Sequence, residues 1–171
     1  MRYFILYLTF SSLLLASFID INSFEATFIQ TIQDDKNKVL TYEGTVYASK
    51  PYNAVWKYLK PIAKDVYINR YSITIVEPEI EQVIIRNIES NFNFFNMLKN
   101  AKKIDENHFV TSYNDIDFKL EIRNDLLYSI SYIDEFDNFV KIIFKKQIYN
   151  KVIDDNIYVP VFSTDFDVIR D

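Results

Sequence analysis

The chain has 171 residues, 49% of them hydrophobic and 25% charged, with a net charge of −5. That size suits one domain with a continuous apolar core, and the acidic balance argues against a nucleic-acid or anionic-lipid partner held by bulk charge. No cysteine, one histidine and one glycine exclude a disulfide framework, a thiolate metal site, a lipidated cysteine, a phosphate-cradling loop and a dinucleotide fingerprint.

Met1-Arg2 supplies one positive charge, and Tyr3–Phe18 is apolar apart from Thr9, Ser11, Ser12 and Ser17. The run is short and serine-interrupted, so residues 1–17 read as a secretory signal peptide and 18–171 as a single domain. An uncleaved anchor and a buried N-terminal helix are the alternatives. Loss of residues 1–17 removes Arg2 and no acid, so the mature charge becomes −5 − 1 = −6.

Ser23–Gln33 alternates as a first strand, with Phe24, Ala26 and Phe28 on one face. Residues 34–38 (DDKNK) form a polar turn, and Val39–Ala48 returns antiparallel. Asp34 and Asp35 fall in a charged, polar turn, which favours a solvated bend over a catalytic dyad. Tyr42, Gly44, Val46 and Ala48 share one face of the return strand. Pro51 cannot donate to a ladder and biases Lys50 toward extended geometry, so Ser49–Asn53 is a turn. A further strand carries Ala54, Trp56 and Tyr58 on one face until Pro61 stops it. Ala63–Asn69, Ser72–Val76 and Ile80–Ile85 continue as short strands, broken at Asn69-Arg70 and Glu77-Pro78.

The period changes at Asn91–Lys103. Phe92, Phe95, Leu98 and Lys102 recur at helical spacing, with Phe94, Met97 and Ala101 alongside, which predicts an amphipathic helix. It reads either as cover over the sheet's concave side or as a core helix closing one end of a barrel. After His108 a meander follows: Asp117–Arg123, Leu126–Ile133 and Phe139–Lys146, joined by Asn124-Asp125 and Asp134–Asn138. The 17% aromatic content fits either an A+T-rich genome or an aromatic-lined cavity.

Catalytic chemistry is hard to place. His108 stands at a strand start without a nucleophile motif, and carboxylate pairs at Asp115/Asp117 and Asp154/Asp155 lie in no calcium loop. The chain reads as a binder that needs no cofactor or metal, and not as an enzyme.

Several of these segments together resemble the periplasmic lipoprotein carriers of the LolA type. The residues that carry the likeness are Phe24–Gln30 (F-x-x-x-F-x-Q), Gly44, Lys50-Pro51, Trp56-Lys57-Tyr58, Pro61, Glu77-Pro78 with Gln82, and the tail Tyr158–Ile169. The resemblance covers roughly residues 24–169. It implies a mainly β (α+β) fold, a curved antiparallel sheet forming an unclosed barrel with a helical lid over the concave face. It also implies a periplasmic monomer that binds the acyl chains of outer-membrane lipoproteins. Such a carrier takes them from an inner-membrane lipoprotein-releasing ABC transporter to an outer-membrane receptor. Phe28, Val46, Trp56, Tyr58, Ile75, Phe92, Phe95 and Met97 are the candidate lining of the acyl-chain cavity, and Lys50 the candidate lid latch.

Three departures from the family pattern stand out. Lys50 replaces the usual arginine and lacks its planar fork. Ala54-Val55 precede Trp56 where an aromatic and a basic residue are common. Few residues separate the signal from Phe24, where a helix usually begins. Asp137 also occupies the usual glycine of a D-x-x-G-N turn, and aspartate tolerates the left-handed conformation better than most residues. Two other readings are an interaction module that binds partners by its sheet edge, and the related outer-membrane receptor, which needs the cysteine this chain lacks. Export gives the first test. N-terminal sequencing of a periplasmic fraction is expected to start near Ser17 or Phe18; recovery only from membranes with residues 1–17 intact would refute it.

Overall fold

The computed structural model describes residues 21–88 and 93–170. The signal-peptide expectation and Phe92 therefore lie outside the described residues. Among those described, twelve strands form one sheet. Its first half runs β1 (Ser23–Gln33), β2 (Val39–Ser49), β3 (Asn53–Lys60), β4 (Lys64–Ile68), β5 (Ser72–Glu77) and β6 (Gln82–Asn87). After helix α1 (Phe94–Lys99) come β7 (Lys102–Lys103), β8 (His108–Tyr113), β9 (Ile116–Arg123), β10 (Leu126–Ile133), β11 (Phe139–Tyr149) and β12 (Asp167–Arg170). The spatial order is β12-β6-β5-β4-β3-β2-β1-β11-β10-β9-β8-β7. The two ends of that order do not pair, so the sheet curls without closing. Both edges are very short strands, which blunts the template that an open edge offers to other chains.

The strand readings need four corrections. The long helix expected over 91–103 is six residues, Phe94–Lys99, and Lys102–Lys103 belong to a strand instead. The last regular helix bond runs from the Asn100 amide to the Asn96 carbonyl, and Ala101 then donates to Leu98 in a tighter closing turn. The strand expected at Ile80–Ile85 starts later, because Pro78–Ile80 form a 3-10 turn whose end, Glu81, is left-handed. The sheet is not antiparallel throughout: β12 runs parallel to β6, pairing Val168 with Val83 and Ile169 with Ile84. Finally, β11 continues three residues past Lys146, which takes up a positive φ of 50° where the register with β1 slips.

A chain with one glycine must make its tight turns by other means. Among the described residues nine adopt positive φ, and seven of them are Asn or Asp, the side chains that tolerate this region best. Asn114-Asp115 and Asn124-Asp125 each place two such residues in succession, the requirement of a two-residue hairpin loop matched to strand twist. Asp137 has φ 61°, so it does take the left-handed position. Asp34 also builds a turn, its Oδ1 accepting the amides of Lys36 and Lys38.

The sheet buries apolar side chains on both faces. The inner face packs Phe24, Ala26, Phe28, Val46, Leu120, Ile130, Val140 and Phe144, with Phe95, Met97 and Leu98 of α1 against them. On the outer face a smaller cluster of Val55, Tyr67, Val76 and Val83 is covered by Ile157, Tyr158, Phe166 and Val168 of the C-terminal segment. Val55, on the alternate face from Trp56, is thus fully buried at 0% exposure. Tyr158 fixes the segment with a 2.6 Å hydrogen bond between its hydroxyl and Ser49 Oγ.

Gly44 is needed for space, not for conformation. It pairs with Phe28 on β1 and Tyr58 on β3. A Cβ there would lie 2.7 Å from the Phe28 ring and would collide with the Lys57 carbonyl. Gly44→Ala is expected to lower unfolding free energy by about 1–3 kcal/mol through overpacking, read from urea denaturation. An unchanged midpoint would show that the Phe28 ring moves aside freely.

Candidate functional site

Strand pairing places the inward residues in rows across the curled sheet. Val46 faces Trp56, Trp56 faces Val66, and Val66 faces Ile75, so Ile75 lies on the same face as Trp56 but three strands round from Val46. Opposite, Ile142 faces Ile130 and Tyr132 faces Val140. Curling brings these walls together around a cavity of about 130 Å³. Its lining includes Ala54, Trp56 and Ile68 from one wall and Phe118, Ile130, Tyr132 and Ile142 from the other. Phe94, Phe95 and Met97 of α1 complete it.

Of the expected lining, then, Trp56, Phe95 and Met97 meet at one cavity. Phe28 lies behind it in the core, 5.0 Å from Trp56 and 5.1 Å from Tyr58 between ring centroids, edge to face in both cases. Val46 is buried beside it. Ile75 is half-buried and does not line the cavity. Tyr58 points into the barrel, donating its hydroxyl to Gln30 Oε1 at 2.8 Å. Burial, then its neighbours Tyr132 and Tyr42, push the Tyr58 hydroxyl well above the usual tyrosine range. Residues outside the expected lining, among them Tyr52, Phe118, Tyr132 and Ile142, share the site. Alternation alone shows which residues of a strand face inward, but not that two remote walls converge.

The helix is held down by a residue with no part in the expected lining. Asn93 is 8% exposed and uses both ends of its amide. Its Oδ1 accepts the amides of Phe95 (2.8 Å) and Asn96 (3.4 Å), capping α1. Its Nδ2 donates to the Pro51 carbonyl at the β2–β3 bend. Lys50, one residue earlier, is exposed and donates to Asn22 Oδ1 at 3.2 Å, with its ammonium 5.9 Å from the Phe95 ring centroid. A direct hydrogen bond between bend and helix therefore comes from Asn93, whereas Lys50 meets the helix through a ring face.

A larger groove of about 970 Å³ lies near the turns at Asn114-Asp115 and Asp134–Asp137. It is open, and Asp115, Asp117, Asp134, Glu135 and Asp137 lie along it beside Lys119, Tyr132 and Phe139. Among the described residues no three His, Cys, Asp or Glu side chains converge to hold a metal. His108 is engaged locally, its Nδ1 2.8 Å from Asp105 Oδ1 in an exposed turn. The amide of Asn107, then the His108 ring, hold the Asp105 carboxyl below the usual carboxylate range.

Three comparisons bear on this architecture. The family model described as "Outer membrane lipoprotein carrier protein LolA" matches residues 20–160. An outer-membrane lipoprotein carrier protein of Wolinella succinogenes is 33% identical over 173 residues, covering 99% of both chains. One of Campylobacter jejuni is 33% identical over 167 residues, covering 98% of both. Among solved structures, an uncharacterized conserved protein from Thermus thermophilus aligns with TM-score 0.53 at 12% identity, covering 88% of this chain and 91% of the other; that likeness concerns the fold alone.

The double role of Asn93 generates a prediction. Asn93→Ala is expected to lower protection of the Met97 and Asn100 amides roughly five- to thirty-fold in hydrogen exchange, for a loss of about 1–2 kcal/mol. Protection of the β1 and β11 amides should stay as it is. Unchanged protection in α1 would mean that the apolar contacts of Phe95 and Leu98 hold the helix by themselves.

Proposed function

The chain belongs to the LolA family of outer-membrane lipoprotein carriers, and we propose that it is a carrier chaperone which takes lipoprotein acyl chains into the cavity beneath α1. The observation that carries this reading is the meeting of Trp56, Phe95 and Met97 at a space lined almost wholly by apolar side chains. Such a lining attracts hydrocarbon without direction, which suits cargo of varied chain length. Each buried methylene is worth about 0.8 kcal/mol, so acyl chains do not cross water unshielded. The role asks for binding and release with no bond made or broken, that of a carrier and not of an enzyme.

The cavity as it stands is small. Its volume of about 130 Å³ is well below the roughly 300–1,000 Å³ of pockets that enclose a drug-sized ligand. Loading therefore has to enlarge it. The open sheet and the short helix are the parts with least to lose, because α1 is six residues long and tied at one end by Asn93. In this reading α1 is the lid, Lys50 steadies it across the Phe95 ring, and cargo shifts the balance toward an open form. Phe92 belongs to the same apolar run and Ile75 to a wall exposed on opening. Residues 1–17 are a signal peptide removed on export, and residues 18–171 act in the periplasm as a monomeric domain. Cargo arrives from an inner-membrane releasing transporter and leaves to an outer-membrane receptor.

Trp56 is the only tryptophan, so its fluorescence reports on the cavity without ambiguity. Titration with a diacylated lipopeptide is expected to give a saturable emission change, absent from Trp56→Phe although that variant still binds. No change at saturating, independently confirmed ligand would remove Trp56 from the lining. Mass spectrometry of the protein purified from a periplasmic fraction should find lipoprotein or acyl lipid with it.

A further inference from the structure

The interior of the barrel is not uniformly apolar. One step from the cavity toward the rim formed by residues 34–38 and 61–63, a layer of polar groups crosses the inner face. Gln30 on β1 pairs with Tyr42 on β2 and with Ile142 on β11, and it is 8% exposed. Its Oε1 is taken by the Tyr58 hydroxyl. Tyr132, which also lines the cavity, pairs with Val140, whose other partner is Ile32, two residues along the same face of β1 from Gln30. Lys64 faces Tyr58 in the register, with its ammonium 5.0 Å from the Tyr58 ring centroid and 5.4 Å from that of Tyr42.

Two donors in this layer are unused. Among the described residues, neither Gln30 Nε2 nor the Tyr132 hydroxyl has a hydrogen-bond partner, while no fully enclosed side-chain nitrogen or oxygen is left unpaired. Both atoms therefore keep some accessible surface, that of Tyr132 at the cavity wall. Water can accept from both in the free protein, but apolar cargo that displaces it leaves them unpaired unless the cargo itself brings acceptors. Gln30 also stands where Phe24, Ala26 and Phe28 lead the same face of β1 as wholly apolar residues, and among the described residues only the carbonyl end of its amide is used, by Tyr58.

We propose that Gln30 and Tyr132 form a polar anchor for the carbonyl oxygens that join acyl chains to their glycerol or amine. With hydrocarbon lying along Trp56, Phe95 and Met97, the ester or amide carbonyls reach the level of Gln30 and Tyr132, and the rest of the cargo leaves past Ile32 and Leu40 at the rim. Tyr58 holds the Gln30 carbonyl, which turns the Gln30 NH2 toward the ligand. Tyr132, neutral at neutral pH like any tyrosine, is a hydrogen-bond donor there. The anchor sets how deep the chains enter. It rests on the carrier reading given above and adds the linkage chemistry to it.

The test compares two probes of equal chain length: a diacylglyceryl-cysteine lipopeptide, and its twin in which both ester carbonyls are replaced by ether methylenes. The wild-type protein is expected to bind the ester form roughly tenfold tighter, the yield of one or two modest hydrogen bonds. Tyr132→Phe, which deletes one hydroxyl, should cut that preference roughly three- to tenfold, and so should Gln30→Met, each judged by the ratio of the two affinities and not by either one alone. Equal wild-type affinity for the two probes overturns the anchor while the carrier reading stands. A preference that survives both substitutions also overturns it, since its source is then elsewhere. Binding of neither probe overturns the anchor together with the acyl-chain cavity.

Discussion

The contact on which the inner core depends is that of the Phe28 ring on Gly44. Three strands meet there, because Gly44 is paired with Phe28 on one side and Tyr58 on the other. Leaving out a single side chain lets one ring lie flat across the sheet and touch Trp56 and Tyr58 edge-on. Trp56 in turn meets Phe144 from the neighbouring wall, at 6.2 Å between centroids. The curl that brings the walls together is thus stabilised by aromatic packing at its centre, where a β-branched residue on β2 would hold the strands apart. Aromatic side chains over strand glycines are a general device for bending sheets.

An open sheet has two faces and two edges to finish, and this chain treats each differently. The outer face of β3–β6 is sealed by the C-terminal segment, whose Ile157, Tyr158 and Phe166 pack on Val55 and Tyr67. The segment then adds β12 in parallel, something only a long return connection can do. The inner face receives a six-residue helix in place of a broad layer. The consequence is an asymmetry in stability. The outer seal combines side-chain burial with a strand ladder, whereas among the described residues the inner seal rests on four apolar side chains of α1 and the Asn93 amide. In a protein that must admit and then surrender apolar cargo, the weaker seal lies on the side of the cavity.

Affinity and release pull against each other in such a site. Apolar lining alone gives grip in proportion to buried area, with no sense of position along the chain. Polar groups of the kind at Gln30, Tyr58 and Tyr132 add direction for a small cost in affinity, because each hydrogen bond replaces one made to water. Depth of insertion can then be defined without increasing the total grip.

Much of the architecture was legible in the sequence. Ser23–Gln33 and Leu126–Ile133 match their strands to the residue, since alternation over eight or more positions leaves a single register with one buried face. The turns were legible too, because with one glycine only Asn and Asp remain to supply most positive-φ positions. Family membership followed from the order of short motifs, each weak by itself. The helix read longer than it is, because Phe and Met recur at helical spacing up to Asn100 and Ala101 and Lys102 carry the period past it. Local period does not register where the backbone leaves the helix, here at the tighter bond from Ala101 to Leu98. What only the tertiary structure decided is which inward residues meet. Trp56 and Ile142 come together through curling across strands distant in sequence, Ile75 on the same face as Trp56 does not reach the cavity, and Val55 is buried by a segment about a hundred residues away. Alternation fixes the face of the sheet on which a side chain stands; only the twist accumulated over twelve strands fixes what stands across from it.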